Sequence, residues 1–375
     1  MDLTIQFPHD RVTYLNHAAV APWPKVTRDA IVAFADQNLS EGATDYSGWM
    51  ATEQSLREKL RCLINANSSD DIALLKNTSE AISVVAWGFP WRPGDNLVLC
   101  RQEFPSNRIP WESLARLDVS CRYVDLANET DPEGAMIAAC DERTKLLAVS
   151  SVQYADGFRM NLKRLGEACS ERNIAFFVDA IQSLGAIPFD LDEVGADFVV
   201  ADGHKWMLGP EGVALFYCSP AWRDRLRLYE YGWHMTQQRG DFDAPGWDVA
   251  QDARRFECGS PNTLGVHALN ASLGLLLEIG IGAVWREIAA RTAVLMEIVQ
   301  AAEHLELVSV SSMERRSGIV TFRHHSLNGK EMHRQLMAER VICAQRLGGV
   351  RFSPHFYTDM ERMAAAVDLA NRLLR

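Results

Sequence analysis

The chain has 375 residues, 47% of them hydrophobic and 23% charged, which suits one large domain with a smaller companion, each around its own core. Its formal charge of −11 argues against nucleic acid as the main partner, because phosphate backbones recruit basic surfaces. No run approaches the roughly 18 consecutive apolar residues of a membrane span, and the amino-terminal MDLTIQFPHDR lacks the basic-then-apolar order of a secretory signal.

In chain order, short and nearly continuous apolar runs alternate with helix-like stretches. IALL (72–75) leads through the polar KNTSE into AISVVAWGF, and NLVLC (96–100) follows the turn signal RPGD. CRYVDL (121–126), KLLAVSSV (145–152), IAFFVDA (174–180), DFVVAD (197–202) and GVALFYC (212–218) complete the series. Runs without polar alternation suit strands buried on both faces, as in a mainly parallel sheet covered by helices. NLKRLGEACSERN has the spacing and length of a helical crossover, so the expected fold class is an open α/β sheet.

From about Ser260 the character changes. Leu264 to Ala302 is helix-rich with a glycine break at Gly280 and Gly282. LELVSV (305–310), GIVTFR (318–323), the helix-like KEMHRQLMAE, RVICA (340–344), VRFS (350–353) and a last amphipathic helix from Asp359 predict a small α+β unit. The expected division is a large domain over 20–285 and a small one formed by 1–19 and 286–375. The eight cysteines (Cys62, Cys100, Cys121, Cys140, Cys169, Cys218, Cys258, Cys343) are scattered without a CxxC pair, the pattern of reduced core residues in a cytoplasmic protein.

Ligands of open parallel sheets bind beyond the carboxyl ends of the strands, so the residues after each run carry the chemistry. After IALL, Asn77-Thr78-Ser79-Glu80 open a helix and offer backbone N–H groups to an anion; a plain N-cap is the simpler reading of those residues alone. After IAFFV come Asp179 and, three residues on, Gln182; a buried acid needs a cation or donors, which a structural salt bridge also satisfies. After DFVVAD come Gly203-His204-Lys205-Trp206, where desolvation can lower the amine's pKa and suit it to a Schiff base, although a lone lysine is more often a surface residue. Together, an anion site, an acid and a lysine on three strand ends form a constellation that pyridoxal 5′-phosphate completes: phosphate at the helix start, ring nitrogen at Asp179, aldehyde at Lys205.

TSEA (78–81), VDAIQSLG (178–185), ADGHKWMLGPEG (201–212), RFECGSPN (255–262) and VRFSPHFY (350–357) resemble, in order, the class V aminotransferase and cysteine desulfurase-like family of pyridoxal-phosphate enzymes, fold type I. The resemblance spans nearly the whole chain. It implies that Lys205 holds the cofactor and shuttles protons, that Asp179 pairs with the ring nitrogen, and that Gln182 lies near the ring's phenolic oxygen. Thr78, Ser79 and His204 are implied to meet the phosphate. Ser260 is implied to reach the phosphate of a neighbouring copy, hence a homodimer with active sites at the subunit interface. Arg351 is implied to pair with the substrate carboxylate, with Asn16 and His17 of YLNHAAV bordering the substrate.

Three positions depart from the family's desulfurase pattern. The residue stacked on the ring, commonly histidine, is Phe104, whose phenyl face can stack but cannot act as an acid. Asp202 stands where a phosphate-side serine is usual, and a carboxylate there must turn away from phosphate or bond to donors. The desulfurases' nucleophilic cysteine has no counterpart except Cys343, which lies in the apolar run RVICA and reads as a buried strand residue.

The resulting expectation is a pyridoxal-phosphate enzyme acting on an amino acid, with aminotransferase leading and a C–S β-lyase or desulfurase-like enzyme, a racemase or an epimerase as alternatives. A degenerate, non-catalytic binding protein of the same fold is disfavoured, because such a copy has no physical reason to keep lysine, acid and arginine together. No metal is expected, and His324 and His325 read as surface residues. Tyr231, Trp233, His234, Phe356 and Tyr357 are candidates for an aromatic pocket wall or for ordinary packing.

Overall fold

The computed structural model describes residues 3–8 and 11–373. A seven-stranded sheet forms its centre from β1 (Ile72–Leu75), β2 (Asn96–Cys100), β3 (Ser120–Val124), β4 (Thr144–Ser150), β5 (Ala175–Asp179), β6 (Phe198–Asp202) and β7 (Ala214–Cys218), in the order β1-β7-β6-β5-β4-β2-β3. All neighbours are parallel except β7, which runs antiparallel to both β1 and β6. The nearly continuous apolar runs thus have the expected cause. Along β5, Phe176 and Val178 enter one hydrophobic core while Ala175 and Phe177 enter the other, so both faces demand apolar side chains.

The helices that frame the site are α1 (Lys25–Glu41), α2 (Tyr46–Ile64), α3 (Thr78–Gly88), α4 (Leu162–Arg172), α5 (Thr263–Ile279) and α6 (Ile281–Ala301). Asn77 caps α3 by accepting the Glu80 N–H at 2.9 Å, so the plain capping role suggested by NTSE is present there. The glycine break is a bend of 82° between α5 and α6 at Gly280. Among the described residues no single helix is long and apolar enough to cross a membrane.

A second, antiparallel sheet follows, built from β8 (Leu305–Leu307), β9 (Val320–His324), β10 (Ala344–Arg346) and β11 (Gly349–Phe352) in the order β10-β11-β9-β8. It shares a separate core with α6, α7 (Gly329–Ala338) and α8 (Met360–Arg372), and that core includes Leu15 from the amino-terminal segment. RVICA is not one strand. Val341–Ile342 pair in parallel with Thr13–Tyr14, the chain breaks step at Cys343, and β10 turns to pair with β11. The bridge between Asn16 and Ser353 continues this seam and fixes the amino-terminal segment beside the Arg351 strand.

The surface reading of His324 and His325 holds only for His325. His324 is buried, and its Nδ1 accepts the backbone N–H groups of Ser326 and Leu327 at 3.2 and 3.1 Å, closing the turn after β9.

Candidate active site

Because β5 and β6 are parallel neighbours, their carboxyl ends deliver Asp179 and the Gly203-His204-Lys205 turn to the same edge of the sheet. Both side chains are buried, Asp179 at 2% exposure and Lys205 at 9%. Burial pushes Asp179 up to about 7, opposed by the Ile181 N–H that it accepts at 3.0 Å. Burial likewise brings the Lys205 amine down to about 8 against the pull of Asp179. Lowering the amine in this way makes its neutral form easier to reach near physiological pH than for an ordinary lysine, and that is the form a nucleophile and general base requires.

Phe104 sits with its ring 5.6 Å from Lys205 Nζ, and the Tyr154 ring meets it edge-on at 5.1 Å. The Phe104 loop is anchored by Glu103, which is buried and accepts the Ser150 N–H at 2.7 Å and a Gln153 amide N–H at 3.2 Å. Gln182 donates to the Ala18 carbonyl at 3.0 Å and accepts the Trp206 indole N–H at 2.9 Å, which leaves one amide hydrogen for another acceptor. Gly185, at φ +94°, closes the same motif: a Cβ there would lie 2.4 Å from the Trp206 carbonyl oxygen, so only glycine fits.

At the start of α3, Thr78 is buried and its Oγ1 has no hydrogen-bond partner among the described residues, while Ser79 Oγ lies 2.9 Å from Ser106 Oγ. An orphaned buried hydroxyl at a helix start suits a phosphate. Asp202 Oδ1 lies 2.9 Å from His204 Nδ1, so this carboxylate is turned to an imidazole. Thr78, Asp179 and Lys205 therefore fit the phosphate, ring nitrogen and aldehyde of pyridoxal phosphate.

Arg351 is 1% exposed; it donates to the Tyr154 carbonyl at 2.6 Å, its Nη2 lies 3.5 Å from Asn16 Oδ1, and its Nε has no partner among the described residues. Burial, with Arg346 adding to it, brings its guanidinium down to about 9. His17 is fully buried and spends its ring nitrogens on the Ser353 carbonyl at 2.8 Å and the Tyr357 hydroxyl at 2.7 Å. It therefore positions Asn16 rather than presenting a ring nitrogen. Ser260 is exposed on the loop that follows Glu257.

The aromatic candidates separate. Phe356 is buried, Tyr357 stacks on Phe7 with centroids 3.6 Å apart, and both belong to packing. Tyr231 and Trp233 line a surface groove of about 500 Å³ with Phe242 and Trp247, apart from the Lys205 site. His234 lies in a buried charge cluster, with Nδ1 3.3 Å from Glu257 and Nε2 2.8 Å from Arg239. There Arg57 meets Glu53 at 2.7 Å and Glu257 at 2.5 Å. Glu53, His234 and Glu257 converge closely enough for a metal ion, but the guanidinium groups of Arg57 and Arg239 already supply the positive charge. Cys343 is buried, and burial pushes its thiol up to about 12.

Sequence reasoning passed over Tyr154 and Arg346. The signal for Arg346 was QRLGGVR: a glycine turn between two strand residues sets a hairpin register that places Arg346 and Arg351 on one face.

The sheet order and the lysine and acid on its strand ends define an α/β enzyme of the pyridoxal-phosphate fold type I class. Residues 13–362 match the family described as Aminotransferase class-V. A "Probable cysteine desulfurase" of Methanothermobacter thermautotrophicus is 31% identical, the alignment covering 93% of this chain and 92% of that protein. The solved cystine C–S lyase C-DES in complex with cysteine persulfide superposes with a TM-score of 0.91 at 22% identity, over 98% of this chain and 100% of that one. A variant of that lyase with glycine covalently linked to its pyridoxal phosphate gives 0.92 at 22% identity, over 99% of both chains. The chain belongs to the class V aminotransferase family and is a pyridoxal-phosphate-dependent aminotransferase or lyase.

Proposed function

We propose that this enzyme is a C–S lyase that removes the Cα proton of a sulfur-bearing amino acid and expels the sulfur from Cβ, without a protein cysteine as acceptor. The observation that carries the reading is the buried Lys205–Asp179 pair, an amine brought toward neutrality beside an acid on the next parallel strand. Relatives named as desulfurases and a C–S lyase favour sulfur chemistry over the aminotransferase expectation. The burial of Cys343 disfavours a persulfide relay.

When bound, pyridoxal phosphate supplies an electron-withdrawing ring that stabilises negative charge at the substrate's Cα. Thr78, Ser79 and His204 hold its phosphate in this reading, Asp179 its ring nitrogen, Gln182 its phenolic oxygen, Phe104 one ring face and Lys205 its aldehyde. Arg351, steadied by Asn16, holds the substrate carboxylate in a bidentate fork. Lys205 Nζ takes the Cα proton. The Cβ–S bond then breaks with its electron pair leaving on sulfur, and the ammonium of Lys205 returns the proton to that sulfur. The unsaturated amino acid left behind hydrolyses to a 2-keto acid and ammonium.

Two copies are expected to share each site, since the exposure of Ser260 leaves it able to reach the phosphate of a second copy. Transamination is the second reading: Phe104 brings no acid to the ring, and transamination needs no proton carrier besides Lys205. Single-turnover absorbance of the bound cofactor against a panel of L-amino acids separates the two. Recovery of the starting band with release of a keto acid and a sulfur product supports the lyase. Stable conversion of the cofactor to its amine form, reversed by a keto acid, establishes the aminotransferase. An inverted amino acid marks a racemase, and a protein that takes up no cofactor marks a degenerate binder.

A further inference from the structure

We infer that Arg346 and Arg351 together form a two-anion receptor, so that the preferred substrates are amino acids whose side chain carries a second anion such as a carboxylate. The inference rests on reading the Lys205 site as an amino-acid site, and it names the substrate class.

The hairpin sets the geometry. Ala344 pairs with Arg351 and Arg346 with Gly349, so Ala344, Arg346, Gly349 and Arg351 share one face of the β10–β11 ribbon. The small residues Ala344 and Gly349 keep that face open between the two guanidinium groups. The turn that fixes the register is Leu347–Gly348, with φ of 48° and 77°. A leucine rarely adopts that conformation, which shows how firmly this register is held.

Both arginines converge on Tyr154. Arg351 donates to its carbonyl at 2.6 Å, and Arg346 lies over its ring at 5.6 Å. The Tyr154 ring in turn meets Phe104 at 5.1 Å, and Phe104 stands 5.6 Å from Lys205 Nζ. Arg346 is thereby joined to the Lys205 site through Tyr154 and Phe104. Each arginine keeps a buried Nε with no hydrogen-bond partner, and neither pairs with a carboxylate among the described residues. Two like charges on one face repel, and buried guanidinium N–H groups left unmade are costly, so the pocket favours ligands that bring a separate anion to each. A single carboxylate held by Arg351 leaves the Arg346 Nε unanswered.

The test uses the pyridoxal-phosphate-loaded enzyme and two acids without an amine, succinate and butyrate, with dissociation constants measured by calorimetry. A charge-assisted pair to the second carboxylate makes succinate bind about 10- to 100-fold tighter than butyrate. In Arg346→Gln that ratio collapses toward one, whereas Arg346→Lys, which keeps the charge, retains part of it. Equal binding of succinate and butyrate by the unaltered enzyme overturns the proposal, as does a ratio preserved in Arg346→Gln. Discrimination is read at equilibrium, so it can hold where C–S cleavage is absent and fail where Lys205 still converts neutral amino acids.

Discussion

Trp206 donates its indole N–H to Gln182 Oε1 at 2.9 Å, joining the strand end that carries Lys205 to the strand end that carries Asp179. The same carboxamide donates to Ala18, and the Ala21 N–H donates to the His204 carbonyl at 2.8 Å. Gln182→Leu leaves a buried indole N–H unpaired, with an expected stability loss of about 1–3 kcal/mol. Equilibrium unfolding in denaturant measures it, and a lower turnover number should accompany it because Trp206 directly follows Lys205 in the chain.

Thr78→Val should act in opposite directions on two quantities. The buried hydroxyl has no partner among the described residues, so its removal leaves the cofactor-free protein equally or more stable. Loss of a hydrogen bond to a charged phosphate should weaken cofactor affinity by about tenfold or more. Thermal melts of the cofactor-free protein and titration with pyridoxal phosphate separate the two effects.

Cys343→Ala should leave turnover within about twofold and cost a few kcal/mol at most, as for a small buried side chain. Its thiol is buried and pushed up to about 12, far from the thiolate that a persulfide relay requires. Steady-state rates with the best amino acid in the panel check this, and a collapse of rate would restore a cysteine to the mechanism.

The buried cluster around Arg57 should limit stability at both ends of the pH scale. Burial alone would raise Glu257, but Arg57 and His234 hold it below the ordinary carboxyl range, and Glu53 is likewise held well below it. Their contribution is complete above the unfolded value of about 4.3 and is lost as pH falls toward the folded values. Burial would lower His234, but Glu257 and Glu53 raise it, so its contribution is complete below about 6.5 and is lost as pH rises through the folded value. Denaturant midpoints against pH should fall on both sides, and His234→Gln should flatten the alkaline limb.

Much of this was legible from the chain because burial on both faces leaves continuous apolar runs such as AFFVD and FVVAD. The residues following them then mark the sheet edge where Asp179 and Lys205 meet. The break of RVICA at Cys343 was hidden, since pairing with Thr13–Tyr14 is a contact of more than 300 residues' separation that no local pattern encodes. His234 and Phe356 read as pocket candidates for the same reason. Only the fold brings His234 to Glu53 and Glu257, and Phe356 to Phe7. Arg346 was overlooked because the glycine turn of QRLGGVR signals a hairpin, while only the pairing register shows that this arginine stands beside Arg351.

Every role assigned to the site turns on Lys205 being the residue that carries the cofactor. Borohydride reduction of the pyridoxal-phosphate-loaded protein, followed by peptide mass mapping, tests it most directly. A single reduced adduct is expected on the peptide that contains Gly203-His204-Lys205-Trp206, and none in Lys205→Ala. An adduct on another lysine, or none on the unaltered protein, would contradict it.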